Sequence, residues 1–350
     1  MTLPRKSANR YEITSSALFR LPTLKALARF LKWEGSPSAL RALCKRPDNF
    51  SEFYQAHPRT GKKRLIQAPT EVVKPLQKRL NALLKQVRVP DYLHSGIPKR
   101  SHLSNSEQHM LAAGATVTVD VSDFYPSITR QRVFRLFRNV FQCPGDVADA
   151  MADLVCYQGK LATGSPASVL VSFWACRDMF DLIAQRVTTQ GGTFTLYVDD
   201  VAITGDTIGH GDIQWLDRLL RRFGFSSKVE KAKLFRKTRA KVVTGRAFRQ
   251  GMSRAPNRKH KEMHEARAEV KSSRASVKVK RGLVGQLENI GNLDPQRGET
   301  LKAEARRIRS TLPPTRRGGK RSSRPSPSSP KSIAPTQQSM PKPDPVEQIE

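Results

Sequence analysis

The strongest constraint on the fold is the segment 192–205, which reads Gly-Thr-Phe-Thr-Leu-Tyr-Val-Asp-Asp-Val-Ala-Ile-Thr-Gly. β-Forming residues lie on both sides of the adjacent aspartates Asp199 and Asp200, which predicts a β-hairpin with two carboxylates at its tip. Adjacent carboxylates repel each other, and a divalent cation is the usual reason for placing them together. Oxygen ligands of this kind suit Mg²⁺. The alternative is that the two aspartates form a polar turn and nothing more.

A second acidic strand end occurs at Asp120. Residues 115–120 read Ala-Thr-Val-Thr-Val-Asp, an alternation that predicts a strand, and a turn and an amphipathic helix follow. A carboxylate at the end of an apolar strand is presented from a rigid element, as a metal ligand requires, although Asp also commonly begins a turn. Two metal ions held by Asp120, Asp199 and Asp200 would suit nucleotidyl transfer on a nucleic-acid template.

The charge of the chain indicates a polyanionic partner. Its 350 residues include 62 Lys and Arg against 30 Asp and Glu, a formal net charge of +32. A basic tail on a neutral domain would explain only part of this excess, because Lys and Arg are spread through residues 1–310 as well. An anionic membrane surface is the weaker alternative, since we find neither an 18-residue apolar run nor a signal peptide, and we expect no membrane contact.

The four cysteines lack the spacing of a metal site and lie mostly among apolar residues; they are Cys44, Cys143, Cys156 and Cys176. Buried free thiols are therefore expected, as in the reducing cytoplasm, where we expect the protein to be located.

Hydrophobic periodicity predicts helices in the first part of the chain, with Ser36 as the N-cap of a helix over 37–43 and a further helix over 72–87. A long apolar helix is expected after Gly164 and Ser165. Their backbone amides would lie at its N-terminus, where phosphate is favoured.

The last part of the chain changes character twice. Short basic β segments end at residues 241–245, and basic helices occupy 259–309. From residue 311 onward Pro, Ser, Lys and Arg dominate, a composition that cannot bury a core and predicts disorder.

Taken together, these motifs resemble those of reverse transcriptases. Tyr197-Val-Asp-Asp200 matches the Tyr-x-Asp-Asp box of that family, and Asp120-Val-Ser-Asp-Phe-Tyr-Pro-Ser matches its first catalytic motif. Thr163-Gly-Ser-Pro is similar to the motif that contacts template and nucleotide, and Arg64-Leu-Ile-Gln-Ala-Pro to the fingers strand. The segment from Gly224 to Lys231 resembles the fourth palm motif.

Two further segments resemble signatures of the retron type of bacterial reverse transcriptase. Asn105-Ser-Glu-Gln-His109 is similar to the retron Asn-Ala-x-x-His signature, and Val243-Thr-Gly245 to the retron Val-Thr-Gly signature. The resemblance extends from about residue 15 to residue 309. Three positions depart from the family pattern: Ser106 replaces Ala, Thr163 replaces Gln, and Ala232 replaces Thr.

The resemblance implies an α+β, right-hand polymerase fold with fingers, a palm containing an antiparallel sheet, and a helical thumb. The expected divisions are a flexible N-terminus (1–14), N-terminal helices and fingers (15–114, with parts of 126–160), the palm (115–245), a basic helical thumb (246–310) and a disordered tail (311–350).

The resemblance also assigns roles to residues at the expected catalytic centre. Asp120, Asp199 and Asp200 would be catalytic and would bind two Mg²⁺ ions, with the backbone carbonyl of Val121 as a further ligand and Mn²⁺ as a substitute ion. Tyr125 occupies the steric-gate position, where its ring would clash with a 2′-hydroxyl and so select deoxynucleotides.

Further residues are assigned to substrates. Nucleotide contacts are expected from the gate residue Tyr125 and from Lys63, Arg64, Thr163, Gly164, Ser165 and Lys231. Lys63 and Arg64 would neutralise the triphosphate, and Lys231 would protonate the leaving pyrophosphate. Contacts with a structured RNA are expected from Asn105, His109, Val243, Thr244 and Gly245.

Family membership would imply dNTP substrates and a cognate noncoding RNA that both templates and primes, through a 2′-hydroxyl, a branched RNA-linked single-stranded DNA. It would also imply anti-phage defence with a separate effector protein, and host RNase H to remove the template. Two alternatives remain: a group II intron-like or other defence-associated reverse transcriptase, and a non-catalytic basic RNA-binding scaffold. The three intact aspartates argue against the scaffold.

Overall fold

The structure is a computed structural model that describes residues 11–56, 61, 63–249, 251–271 and 275–314. The chain divides after Thr311 into two units, and the second, Leu312–Glu350, lies almost wholly outside the described residues. The expected disorder of the tail and the expected flexibility of residues 1–10 therefore also fall outside them. Tyr11 does not behave as a loose terminus, because its backbone N–H donates to the Gln86 carbonyl over 2.8 Å.

Helices account for most of the regular structure. In chain order they are α1 (Leu24–Leu31), α2 (Pro37–Cys44), α3 (Val73–Leu84), α4 (His102–Leu111), α5 (Phe124–Ser127), α6 (Arg130–Arg135), which continues as a π-helical turn (Leu136–Val140), α7 (Gly145–Val155), α8 (Ser168–Ala175), α9 (Arg177–Thr189), α10 (His210–Arg222), α11 (Asn257–Lys271), α12 (Val277–Leu293) and α13 (Gly298–Ser310).

The strands are short and antiparallel. They are β1 (Phe50–Ala56), β2 (Lys63–Pro69), β3 (Ala115–Asp120), β4 (Cys156–Tyr157), β5 (Lys160–Leu161), β6 (Thr193–Tyr197), β7 (Asp200–Gly205), β8 (Lys233–Phe235), β9 (Lys241–Val243), β10 (Arg246–Arg249) and β11 (Met252–Arg254). The central sheet has the order β6-β7-β3-β8, β1 pairs with β2, β4 pairs with β5, and β11-β10-β9 form a separate three-stranded sheet.

Several helices begin at a Ser or Thr whose hydroxyl caps the first turn, and such N-caps can be identified from the sequence. The Ser36 hydroxyl accepts a hydrogen bond from the Ala39 N–H over 3.1 Å, which confirms Ser36 as the N-cap of α2. Thr23 caps α1 in the same way, so this helix begins just after Pro22. Capping side chains satisfy backbone donors that have no partner inside the helix, and they therefore fix where each helix begins.

The prediction of one long apolar helix after Ser165 is wrong in the length of that helix. Two helices, α8 and α9, meet at Cys176, whose ψ of 13° departs from helical geometry. The break lets the Arg177 guanidinium lie over the Trp174 ring, 5.2 Å from its centroid. Apolar composition predicts a buried helix, but it does not show where packing bends one.

The C-terminal part of the described chain is helical, as expected. Leu283, Leu287 and Ile290 of α12 are at most 1% exposed and form its buried apolar face. The β segments, however, do not end at Gly245, because β10 and β11 follow and pair with β9. The expected palm–thumb boundary between 245 and 246 thus falls at a turn inside one sheet, and α11 begins only at Asn257.

The main apolar core joins most of the helices before residue 225 to the central sheet, with side chains such as Phe137, Phe173 and Leu84 fully buried. The four cysteines are free and buried, as expected. Burial raises the pKa of the Cys143 thiol to about 11, so it is protonated at neutral pH. No helix among the described residues has the length and apolar character needed to span a membrane.

Candidate active site

The three aspartates meet at one end of the central sheet. β3 and β7 are antiparallel, and their register pairs Asp120 with Asp200, so the last residue of one strand faces the first residue of the other. Tyr197 pairs with Asp200 across the hairpin, which leaves Val198 and Asp199 as its two-residue turn. The Val121 N–H donates to the Asp199 carbonyl over 3.1 Å, which fixes the turn against the end of β3.

The hairpin turn is held in an unusual conformation. Val198 has φ of +62°, a region that a β-branched residue rarely occupies. Its backbone N–H donates to the Ser95 hydroxyl over 3.0 Å. In the same loop the Tyr92 carbonyl accepts from the Leu196 N–H over 2.7 Å, and the His94 N–H donates to the Leu196 carbonyl over 2.9 Å. Such conformations persist when the surrounding structure determines them, and the loop provides that support.

The charges of these carboxylates act on one another. Burial and repulsion from Asp120 raise the pKa of Asp199 to about 6. Lost hydration and repulsion from Asp199 and Asp120 raise the pKa of Asp200 to about 7, although part of this residue remains accessible to solvent. Both shifts come from burial first and from repulsion between the neighbouring carboxylates second.

Lys228 is the cation that partly balances them. Its Nζ donates to Asp120 Oδ2 over 3.0 Å, and its backbone N–H donates to the Asp120 carbonyl over 3.2 Å. The charge of Lys228 also lowers the pKa values of Asp199 and Asp200. Sequence reasoning selected Lys231 from this segment and missed Lys228, because the sequence does not show that residues 226–228 pair with the end of β3.

Lys231 lies nearby without an ion pair to the three aspartates. It lines a cavity of about 210 Å³ together with Asp120, Asp200 and the turn that follows β9. Within the described residues, no group of three or more His, Cys, Asp or Glu side chains is arranged as a metal site as it stands. The donor chemistry nevertheless fits a hard divalent cation, because three mutually repelling carboxylates share one strand end.

The expected gate residue Tyr125 lies beside this site. It is half-buried at the start of α5, and burial together with the charge of Asp199 raises the pKa of its hydroxyl. Its ring is 5.8 Å from that of Phe124, which is fully packed in the core. The phenol is therefore un-ionised at neutral pH and can act only through its shape and as a hydrogen-bonding group.

Gly164 is required by a close contact with the backbone of β2. A Cβ at this position would lie 2.4 Å from the Gln67 carbonyl oxygen, and the Gly164 N–H donates to that oxygen over 3.1 Å. α8 begins only at Ser168, so neither Gly164 nor Ser165 lies in its first turn. The close approach that a side chain here would prevent is to the backbone of β2.

Thr163 is part of the same attachment. Its hydroxyl donates to the Leu65 carbonyl over 3.1 Å and accepts from the Gln67 N–H over 3.2 Å. Lys63 and Arg64 are exposed at the start of β2, and neither forms an ion pair with the three aspartates. The 163–164 segment therefore positions the strand that carries the two expected triphosphate ligands.

Two of the expected RNA contacts are corrected by burial. Asn105 and His109 are 0% exposed, so their side chains cannot touch RNA in this conformation. His109 Nε2 is 2.7 Å from Thr195 Oγ1 and its Nδ1 is 2.8 Å from Thr204 Oγ1, which ties α4 to both strands of the acidic hairpin. Burial lowers the pKa of His109 to about 3, and the ring is neutral.

The other expected RNA contacts lie at the turn after β9. The Thr244 hydroxyl donates to the His102 carbonyl over 2.8 Å and lies 3.4 Å from Asn105 Nδ2. Val243 is buried, whereas Thr244 and Gly245 are partly accessible and line the small cavity beside Asp120 and Asp200. The two segments with retron-like signatures are thus in contact with each other.

Comparison with known proteins gives a consistent result. No protein-family model matches the chain. It is 24% identical over 159 residues to the retron Se72 reverse transcriptase of Salmonella heidelberg, which is 45% of this chain and 42% of the relative. It is 28% identical over 288 residues to the retron Mx65 reverse transcriptase of Myxococcus xanthus (72% and 63%), and 24% identical over 177 residues to the retron Ec86 reverse transcriptase of Escherichia coli (49% and 54%).

The chain spans about half the length of these curated relatives, from 42% to 63%. The matches agree with the resemblance of the catalytic and retron-like motifs. The chain is therefore a homologue of the retron reverse transcriptases.

Proposed function

We propose that the protein is an RNA-directed DNA polymerase of retron type, which copies a cognate structured noncoding RNA into single-stranded, RNA-linked DNA. The observation that carries the proposal is the register of Asp120 with Asp200, next to Asp199 in the hairpin turn. Three carboxylates at one end of the central sheet, two of which have pKa values raised by burial and by repulsion, are the donor set of a nucleotidyl-transfer centre. The homology to retron reverse transcriptases supports the same reading.

Asp120, Asp199 and Asp200 would hold the divalent ions, with the Val121 carbonyl as a further ligand. Two Mg²⁺ ions, or Mn²⁺ in their place, would activate the primer hydroxyl and stabilise the leaving pyrophosphate. The Lys228 ammonium, which donates to Asp120 Oδ2, would orient that carboxylate toward the ions. Because of the raised pKa values, Asp199 loses its proton just below neutral pH and Asp200 close to neutral pH in the free protein.

Other residues would hold the nucleotide. The Tyr125 ring would exclude a 2′-hydroxyl from the sugar position, and Lys63 and Arg64 would neutralise the triphosphate. Thr163 and Gly164 act through the strand that carries those cations, since both bond to the β2 backbone. Ser165 would follow as the next contact toward the template, and Lys231 would protonate the pyrophosphate as it leaves.

The partners would be a structured RNA, its DNA product and dNTPs. A net charge of +32 suits two polyanions, and the accessible part of the 243–245 turn would contact the primer-bearing RNA beside the carboxylates. A role in anti-phage defence with a separate effector protein, and removal of the template by host RNase H, complete the proposal.

The experiment is primer extension on an RNA template with the Asp199→Ala variant. We expect DNA synthesis to be lost, because the turn carboxylate is removed, while RNA affinity stays within a few-fold of wild type. Asp206→Ala is the matched control, because Asp206 lies just beyond the other end of β7 and is exposed. Extension by Asp199→Ala at a rate near that of the control would refute the proposal.

A further inference from the structure

One cation lies among the carboxylates of the candidate active site. The Lys228 Nζ donates to Asp120 Oδ2 over 3.0 Å, and only 25% of the lysine side chain is exposed. Among the ion pairs of the described residues, this is the only one that involves Asp120, Asp199 or Asp200. An ion pair that is shielded to this extent keeps more of its Coulomb attraction than a pair on the surface does.

The backbone determines where this ammonium lies. The Lys228 N–H donates to the Asp120 carbonyl over 3.2 Å, and the preceding residue, Ser227, forms an antiparallel bridge with Val121. The Ser227 hydroxyl also donates to Asp217 of α10 over 2.5 Å. The segment that carries Lys228 is therefore fixed to the end of β3 on one side and to α10 on the other.

The ammonium also acts on the two aspartates of the hairpin turn. Its charge opposes the effect of burial and lowers the pKa values of Asp199 and Asp200. With all three carboxylates ionised, three negative charges face one positive charge. The site therefore keeps an excess of negative charge, which attracts a divalent cation even while the lysine is in place.

A divalent cation and the ammonium cannot share one carboxylate oxygen at low cost. Magnesium lies about 2.0–2.1 Å from its oxygen ligands. Since the ammonium is 3.0 Å from Asp120 Oδ2, two cations on that oxygen would be at most about 5 Å apart. Cations at this distance repel strongly in a half-buried site, whereas the flexible stem of a lysine lets its ammonium move away.

We propose that the Lys228 ammonium is an internal counter-ion, which holds Asp120 Oδ2 in the free protein and is displaced from that oxygen when a divalent cation binds. It aligns the carboxylate beforehand and lowers the affinity of the site for the cation. The inference rests on the proposed function, because it takes the three aspartates as the metal ligands. It goes further in assigning the control of metal affinity to Lys228.

Lys231 is the comparison that the same segment offers. It lines the cavity beside Asp120 and Asp200, but it is exposed and forms no ion pair with the aspartates. Exposed charges are screened by water and salt, so its removal should change metal affinity much less. Lys228→Met and Lys231→Met remove the same charge and differ in whether that charge contacts Asp120.

The test is titration of the full chain with Mn²⁺ alone, in oxygen-free buffer, with the free ion measured by electron paramagnetic resonance. At about pH 8.5, above the pKa values of about 6 for Asp199 and about 7 for Asp200, protons compete little with the metal. Binding that survives in Asp200→Asn comes from elsewhere on the chain and is subtracted.

Lys228→Met should bind Mn²⁺ more tightly than the wild type. A charge within about 4–6 Å changes the affinity of a carboxylate for a proton by roughly tenfold to a thousandfold, and a divalent cation feels that charge twice as strongly. We therefore expect a gain of at least about tenfold. A misfolded variant would lose affinity for the ion, so misfolding cannot produce this result.

Two further variants show whether the contact with Asp120 is responsible. Lys228→Arg keeps a cation beside that carboxylate, so it should not bind Mn²⁺ more tightly than the wild type. Lys231→Met should stay within about threefold of the wild type, because exposed charges contribute little. Equal affinities of the wild type and Lys228→Met would overturn the proposal, and so would the same gain in Lys228→Arg or Lys231→Met.

Displacement itself is measured on the wild-type chain. Lysines are acetylated by a limiting amount of reagent with and without saturating Mn²⁺, and the labelling of each lysine is quantified by mass spectrometry. Lys228 should be labelled several-fold faster with Mn²⁺, because its amine no longer donates to Asp120, whereas the labelling of Lys231 should not change. Unchanged or slower labelling of Lys228 would show that it stays on the carboxylate and would overturn the proposal.

The metal titration separates this inference from the proposed function. If neither the wild type nor Lys228→Met shows Mn²⁺ binding that depends on Asp200, the metal site is refuted, and the polymerase proposal with it. If both chains bind the ion with equal affinity, only the role of Lys228 is refuted.

Discussion

His109→Ala tests whether the retron-like signature on α4 acts through RNA or through the fold. In the structure the imidazole bonds to Thr195 of β6 and Thr204 of β7, the two strands that carry the acidic turn. The side chain is 0% exposed, so its removal should affect stability far more than RNA contact.

The expected loss of unfolding free energy in His109→Ala follows from the groups that lose a hydrogen-bond partner. Two hydrogen bonds contribute about 1 kcal/mol each, and a buried hydroxyl left unsatisfied costs about 1–3 kcal/mol more. Only Thr195 is left in that state, because Thr204 keeps its 2.6 Å bond to Thr116. Together these contacts give an expected loss of about 3–5 kcal/mol, or a Tm lowered by roughly 6–20 °C, and the cavity left by the ring adds to it.

The assay is chemical and thermal unfolding of the full chain. His264→Ala is the matched control, since His264 is exposed on α11 and its removal should change stability by no more than about 0.5 kcal/mol. Thr195→Val, alone and combined with His109→Ala, completes a double-mutant cycle. We expect a coupling of about 1 kcal/mol between the two positions.

The pH dependence gives a second measurement. His109 has a pKa of about 3 in the folded protein, against 6.5 for an unperturbed histidine, because burial disfavours its charged form. Its contribution is therefore fully present above pH 6.5, and it falls by about 1.4 kcal/mol per pH unit as the pH drops from 6.5 toward 3. The stability difference between wild type and His109→Ala should shrink accordingly.

The reasoning would be refuted by a variant that unfolds like wild type yet binds RNA much more weakly under conditions where both are folded. That outcome would return His109 to the RNA-contact role first inferred from its motif. It would also mean that the hydroxyls of Thr195 and Thr204 find other hydrogen-bond partners when the imidazole is absent.

Three further predictions concern the site itself. Lys228→Met should shift the acid limb of the polymerisation pH profile to higher pH, because the lysine charge lowers the pKa values of Asp199 and Asp200. An unchanged acid limb would show that Lys228 does not influence the ionisation of these two aspartates. Gly164→Ala should raise KM for dNTPs and destabilise the β2 attachment, since its Cβ would meet the Gln67 carbonyl at 2.4 Å, and wild-type kinetics would contradict this. Tyr125→Ala should increase ribonucleotide incorporation measured with rNTP and dNTP mixtures, and an unaltered sugar preference would exclude Tyr125 as the gate.

Local features of the sequence determined a good part of the secondary structure. The alternation at 115–120 and the β-formers flanking Asp199 and Asp200 predict the strands that are found, because a strand's period is visible within six residues. The N-cap at Ser36 follows from one hydroxyl and the proline after it. The apolar face of α12 is equally local.

Relations between distant segments were decided only by the tertiary structure. The pairing of Asp120 with Asp200 is a register, and a shift of one residue would turn every side chain of the strand to the opposite face. Lys228 reaches Asp120 because residues 226–228 run beside the end of β3. Position 164 accepts only glycine because the β2 backbone lies against it. Burial of Asn105 and His109 likewise depends on what packs over α4. The physical reason is that propensity and capping act over a few residues, whereas register and burial are set by contacts between segments far apart in the chain.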